Sequence, residues 1–460
     1  MGVPGKPHLA VQGPNRHSFS NKTKRAVQMP QTPSGSDDRV FLFLQGPHGP
    51  FFSALGQMLR ATGAQVWRVG FNAGDQAFWF DKACFIAFQN QPGDWPKTLN
   101  RLIVDKAVTD IVLYGDTRPV HARAVEIAKS HGLTIHVFEE GYLRPWWVTY
   151  ERDGSNGHSR LMSLDVDQMR QALAQSDSKA PPPPSHWGDM RQHIFYGALY
   201  HWFVMFLNRR YRNFRRHRDL SVSQEFRLYF KRLMLMPVHR LQRSVATARV
   251  RWGGFPYHLV LLQLGHDSSV QAHSRFSCMS DFLELVIAGF AQGAPTHHRL
   301  VVKEHPLENH REPLHLRAME IARKHGVQNR VHYVPGGKLA SLLDEANSAV
   351  TVNSTAGQQV LWRGIPLRIF GRSVYDKTDF VSQQSIAAFF ADPDAPDVEA
   401  YRSYRQFLLE TSQVPGGFYS RRGRRQLLRR AVDMMLSSSD PYQAILNKNE
   451  AQTPQLKIVE

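Results

Sequence analysis

The chain has 460 residues, 42% of them hydrophobic, with 57 Lys and Arg against 39 Asp and Glu and a formal net charge of +18. That length accommodates about two or three domains, and that charge points to a polyanionic partner: nucleic acid, an acidic membrane surface or a charged sugar donor. Only two cysteines occur, Cys84 and Cys278, with no CxxC spacing, so a disulfide framework and a zinc site lack a basis and a reducing cytoplasm suits the composition.

Residues 1–38 are rich in Pro, Gly, Ser and Asn and are expected to form a disordered tail without the apolar core of a signal peptide. Residues 39–180 read as a first α/β unit. Strand FLFLQG (Phe41–Gly46) precedes a helix from Phe51 to Leu59, then come QVWRVG, DIVLYGD, a helix from Pro119 to Lys129, and TIHVFEEG. A proline-rich break, APPPPSHWGD, leads into a basic, aromatic, helical segment over 181–254. Its longest mostly apolar stretch, Phe195–Asn208, is shorter than the roughly 20 residues of a spanning helix, so a soluble or peripheral protein is expected.

Residues 255–375 repeat the α/β plan with HLVLLQLGHD, LVVKEHP, RVHYVP, AVTVNST and LRIFG. Residues 376–445 read as C-terminal helices, broken at Gly416–Gly417 and carrying the basic cluster RRGRRQLLRR, and 446–460 as a polar tail. Nearly continuous apolar strands separated by helices argue for parallel sheets covered on both faces. The fold class is therefore α/β, with two Rossmann-like domains facing a cleft, a basic helical insertion and C-terminal helices. This plan is shared by many sugar-nucleotide glycosyltransferases (the GT-B arrangement), by two-domain binding proteins and by some epimerases.

Ligands of such sheets lie beyond the carboxyl ends of the strands, where this chain carries Gln45, Glu139, Glu140, Asp267, His305, Ser354 and Thr355. In AVTVNSTAGQQVLWRG a strand ends at Val352, and Asn353, Ser354 or Thr355 is expected to cap a helix running to Trp362 and stopped at Gly364. Such a helix start offers free N–H groups to a phosphate; equally, Asn-Ser-Thr is a good cap for any helix. In LVVKEHPLE, Pro306 fixes His305 in an extended conformation at a strand end with Lys303 nearby; a strand-to-loop turn would look the same.

In LLQLGHDSSVQAHSRF, Gln263 ends a strand and Asp267 follows in a polar loop. A carboxylate there can attack an anomeric carbon, with His266, His273 and Arg275 close in sequence to keep it ionised; a plain Asp-Ser turn is the alternative. FLQGPHGPFF makes a rigid turn around Gly46 and Pro47 that does not fit a dinucleotide fingerprint. VFEEGYLRPWWVTYERDGSNG, read as a near-surface loop, concentrates Glu139, Glu140, Tyr142, Arg144, Trp146, Trp147 and Glu151, which suits a sugar or lipid headgroup, or else a Glu-Arg salt bridge beside core tryptophans. Trp202, Phe203 and Phe206 followed by Arg209, Arg210, Arg212, Arg215 and Arg216 suit an anionic membrane surface, a packed helix, or nucleic acid; no zinc-finger, helix-turn-helix or RNP signature is present.

Together QGPHGPFF, EEGYLRPWWVTYERDGSNG, LLQLGHDSSVQ, KEHP and NSTAGQQVLWRGIPLRIFG resemble the bacterial capsule polysaccharide biosynthesis and export family, over residues 41–375. That family includes retaining β-Kdo transferases (Kdo is 3-deoxy-manno-octulosonic acid), and the short, single-module type acting on a lipid is the nearest in length. The resemblance implies CMP-β-Kdo as donor and an anionic phospholipid, phosphatidylglycerol or its lyso form, as acceptor. It places catalysis on Asp267, with His266 where the family pattern has Asn or an acidic residue. It places CMP at Gln263, Lys303, His305, Asn353, Ser354, Thr355 and Gly357, and the acceptor at Gln45, Gly46, Glu139, Glu140, Tyr142 and Arg144.

No metal or other cofactor is expected. Expected partners are the cytoplasmic face of the inner membrane and the capsule export machinery, without nucleic acid. The alternatives are a non-catalytic glycolipid-binding export factor and a basic nucleic-acid-binding protein.

Overall fold

Two sheets whose parallel strands share one order organise the computed structural model of the protein, which describes residues 2, 38–145, 147–174, 190–214, 227, 234–265, 273–305, 308 and 312–446. The strands are β1 (Val40–Phe43), β2 (Gln65–Gly70), β3 (Phe85–Ala87), β4 (Asp110–Tyr114), β5 (Thr134–Glu140) and β6 (Trp147–Arg152), then β7 (Tyr257–Leu261), β8 (Arg299–Lys303), β9 (Val331–Val334), β10 (Ala346–Thr351), β11 (Leu367–Ile369) and β12 (Gln413–Pro415). The first sheet runs β12-β6-β5-β4-β1-β2-β3 and the second β11-β10-β7-β8-β9. Each contains five parallel strands ordered third, second, first, fourth, fifth, the doubly wound arrangement whose strand order reverses between the first and fourth strands. The reversal points are thus β1/β4 and β7/β10.

The apolar strands are buried on both faces, as their composition requires. Phe41 and Phe43 join one cluster with Leu55 and Leu59 of the Phe51–Ala61 helix and Leu427 and Ala431 of the Arg421–Leu436 helix. Val40, Leu42 and Leu44 point the other way, onto Leu99 and Ile103 of the Trp95–Asp105 helix and Ala124 and Ala128 of the Pro119–Ser130 helix. This two-residue alternation is the strand period itself. The second sheet divides likewise, Leu259 and Leu261 facing one cluster and Val260 and Leu262 the other.

Two elements depart from the sequence-based expectation. The WWVTYER block is not a near-surface loop: Trp147–Arg152 is β6, antiparallel to β5, with Trp147 and Glu151 buried. Burial of Glu151 is compensated by three hydroxyl donors, Tyr142 (2.9 Å), Ser159 (2.7 Å) and Tyr442. The C-terminal stretch is not only helical: Gln413–Pro415 pairs with β6, so the chain returns to complete the first sheet.

All these elements lie in one compact unit, Pro33–Glu460. The halves share a core in which Tyr142, Trp147 and Met169 meet Leu259, Tyr401 and Phe407. Lys377 Nζ, buried, donates to the carbonyls of Leu161 and Leu164 at 2.6 Å each, pinning the halves by charge-assisted bonds.

Candidate active site

Gln263 and Asn353 stand just beyond β7 and β10, at the strand-order reversal of the second sheet. Gln263 Nε2 donates to Asn353 Oδ1 and Asn353 N donates to Gln263 Oε1, both at 2.9 Å, and both residues are buried. Expected to bind the donor, they face one another. They line the crevice as its fastening, and Asn353 hands the chain to Ser354.

The turn that follows differs from the expected helix cap. The helix is Gly357–Leu361, and Ala356 occupies the cap position without a side-chain bond. Ser354 Oγ accepts from Ala356 N at 3.2 Å, Ser354 O from Gly357 N at 2.9 Å, and Thr355 O from Gln358 N at 3.2 Å. The N–H groups of Ala356, Gly357 and Gln358 are therefore satisfied within the turn, and the Ser354 and Thr355 hydroxyls can serve as donors. Gly357 is needed here because a Cβ would lie 2.5 Å from the Tyr375 hydroxyl oxygen, which itself donates to Ser354 O. Gly364 takes a left-handed φ of 69° and ends the segment as expected.

Two cavities open at this turn, between the sheets. The larger, about 410 Å³, is lined by Tyr142, Lys303, Gln358, Trp362, Tyr401 and Arg405 among others; the smaller, about 130 Å³, by Thr117, Glu139, Glu140, Asn156, Gln263 and His273 among others. Arg144, His305, Ser354 and Thr355 line both. The small cavity joins residues from the carboxyl ends of β4 and β5 to those of β7, β8 and β10.

The electrostatics of the two cavities are mixed. Burial pushes the Glu139 carboxyl up to about 7, although its bond from Glu140 N and the Arg144 and Arg118 guanidiniums favour ionisation. Glu140 accepts from the Tyr114 and Tyr419 hydroxyls at 3.3 Å each. Lys303 is buried and donates to Glu304 O at 3.2 Å, and burial brings its ammonium down to about 8.

Neither Gln45 nor Gly46 lines these two cavities. Gln45 donates to buried Asp75 at 3.1 Å, in a network with Arg68 and Tyr200. Gly46 is explained by packing, since a Cβ would meet the Phe52 ring at 2.6 Å. Tyr142 reaches the larger cavity, but its hydroxyl is committed to Glu151. Asp267, His266, Trp146, Pro306, Arg215 and Arg216 lie outside the described residues.

Trp202 is 47% exposed on the Met190–Phe206 helix, and Arg209, Arg210 and Arg212 are exposed beyond it. Phe203 instead packs edge-on against Phe78, on the side of the helix facing the first sheet. Among the described residues no helix is long and apolar enough to cross a membrane, and no group of three or more His, Cys, Asp or Glu is placed to hold a metal ion.

Thr117, Asn156, Trp362 and Arg405 were not anticipated. Asn156 adopts a left-handed φ of 52°, which Asn tolerates, and the Ser-Asn-Gly sequence carried that signal. The Arg405 guanidinium lies 4.4 Å from the centre of the half-exposed Trp362 ring, a pairing of residues 43 apart that no local pattern reveals.

Residues 109–419 match the family described as capsule polysaccharide biosynthesis protein. The capsule polysaccharide modification protein LipB of Neisseria meningitidis serogroup A is 31% identical over 386 residues, which cover 82% of this chain and 91% of LipB. The capsule polysaccharide export protein KpsS of Escherichia coli is 29% identical, covering 83% of this chain and 97% of KpsS. The β-Kdo 2,7 transferase KpsC of Thermosulfurimonas dismutans aligns over 86% of this chain and 100% of its own, at 10% identity and a TM-score of 0.41.

Proposed function

The chain belongs to the capsule polysaccharide biosynthesis protein family, and from that premise we propose that it is a retaining glycosyltransferase that moves Kdo from CMP-β-Kdo to an anionic phospholipid, starting the β-Kdo linker of a capsule. The observation that carries this reading is the pair of joined cavities at the second sheet's reversal point, with Arg144, His305, Ser354 and Thr355 at their junction. A nucleoside suits the larger space, with Trp362 and Tyr401 as aromatic walls. A sugar suits the smaller one, and the linking phosphate suits the hydrogen-bond donors between them.

In this reading the Asp267 carboxylate attacks the anomeric carbon, the bond to the phosphate oxygen breaks, and its electron pair leaves with CMP. The acceptor hydroxyl then displaces Asp267 while a carboxylate takes its proton, so two inversions give retention. Glu139 suits the role of that proton acceptor, because it lines the small cavity and its carboxyl titrates at about 7, where a general base works best.

A lipid acceptor requires contact with a membrane, and two helices suit that contact. Residues 190–254 hold fourteen Lys and Arg against two acidic residues, Asp219 and Glu225. The Met190–Phe206 helix exposes Ile194, Phe195, Trp202 and Phe206, and the Met236–Arg251 helix exposes Val238, Leu241 and Val245, with Trp252 beyond it 85% exposed. Large apolar side chains flanked by arginines fit an anionic bilayer surface.

The test is transfer itself. With CMP-Kdo and phosphatidylglycerol vesicles, lipid-dependent release of CMP and a Kdo-bearing lipid are expected. Binding of lipid without CMP release would instead make the protein a non-catalytic glycolipid-binding factor.

A further inference from the structure

Arg144 sits in the first half of the chain, yet it reaches cavities that residues of the second half also line. It lines both cavities, together with His305, Ser354 and Thr355 of the second half. The Glu-Arg salt bridge that the EEGYLR sequence invites is not made: among the described residues Arg144 forms no ion pair, and its one hydrogen bond runs from Nε to Gly141 O at 3.3 Å. That bond steadies the stem and leaves both terminal nitrogens of an exposed guanidinium available.

The surroundings create a demand for this cation. The backbone N–H groups of Ala356, Gly357 and Gln358 are used within their own turn and give an anion little. The small cavity also presents the carboxyls of Glu139 and Glu140, which repel any anionic group entering beside them. Lys303 is held in the larger cavity by Glu304 O, away from the small one.

We propose that Arg144 binds an anionic oxygen pair of the donor, either the carboxylate of the sugar acid or the phosphate that leaves with the nucleotide, and so is a donor-specificity residue and not an acceptor one. A planar fork matches either group by two parallel hydrogen bonds. The inference rests on the sugar-nucleotide reading given above and narrows it to one side chain.

Steady-state kinetics with CMP-Kdo and vesicles, with CMP as competitive inhibitor, test it on wild type, Arg144→Ala and Arg144→Lys, each checked for an unchanged unfolding midpoint. Arg144→Ala should raise the donor KM on the order of tenfold to a hundredfold, the loss expected for a charge-assisted pair. Arg144→Lys should recover part of it, since charge returns without the fork. If CMP inhibition stays at the wild-type level, the contact is to the sugar carboxylate; if it weakens in parallel, the contact is to the phosphate. Unchanged donor KM and CMP inhibition in Arg144→Ala overturn the inference, whatever happens to the acceptor KM. Absence of CMP inhibition in the wild type would instead defeat the sugar-nucleotide reading.

Discussion

Gln263 and Asn353 close the carboxyl ends of β7 and β10 on one another by reciprocal 2.9 Å hydrogen bonds, side chain to side chain and backbone to side chain. This clasp joins the two strand ends at the crevice where a doubly wound sheet binds its ligand. Asn353→Ala removes the side-chain half of this clasp and leaves a buried amide donor unpaired. A loss of about 1–3 kcal/mol is expected, read as a lowered urea midpoint, with slowed turnover because Ser354 follows directly.

The acid–base assignment of Glu139 has a pH signature. Burial raises its carboxyl to about 7, so the group is protonated below that pH and a base above it. Turnover should rise with pH through about 7. Glu139→Gln should remove that limb and lower kcat by about a hundredfold or more, while CMP inhibition stays at the wild-type level. A wild-type rate that falls across the same interval would reverse the assignment.

Glu151 makes a separate prediction about stability. Burial brings its carboxyl up to about 7 although three hydroxyls donate to it. The folded protein therefore holds this proton more tightly than the unfolded chain, whose Glu titrates near about 4.3. The resulting stabilisation is complete below the unfolded value and is lost as pH rises through about 7. Glu151→Gln, which cannot ionise, should gain relative to wild type between pH 5 and pH 8, measured as the difference in urea unfolding free energy at the two values.

Much of this architecture was legible in the sequence because the middle of a parallel strand buried on both faces is apolar, as in β1, β4, β7 and β8, whereas β10 carries Asn347, Ser348 and Thr351. Glu139, Glu140, His305, Ser354 and Thr355 were legible as residues at the carboxyl ends of strands, and those ends of the two sheets line the small cavity; Arg144 was legible only in the EEGYLRP block. Gln45, just beyond β1 of the first sheet, donates to buried Asp75. β6 was missed because Glu151 breaks the apolar run, and its hydroxyl partners Ser159 and Tyr442 come from elsewhere in the chain. β12 is three residues long and pairs with a strand more than 260 positions away, so nothing local marks it.

The membrane reading predicts additive contributions from two helices. Phe195→Glu and Trp252→Glu should each weaken sedimentation with phosphatidylglycerol vesicles several-fold, since each replaces an exposed apolar side chain by a like charge to the lipid. Neither change should affect neutral phosphatidylcholine vesicles as strongly, and the double variant should bind least. Equal binding by all variants would remove these helices from the interface.

The most direct test of the whole account is a calorimetric titration of CMP into the intact protein, followed by a crystal structure of the complex. The account predicts saturable binding, weakened by Ser354→Ala and His305→Ala, with the phosphate among Arg144, His305, Ser354 and Thr355 and the base in the larger cavity. No measurable affinity, or nucleotide density away from the carboxyl ends of β7, β8 and β10, would contradict it.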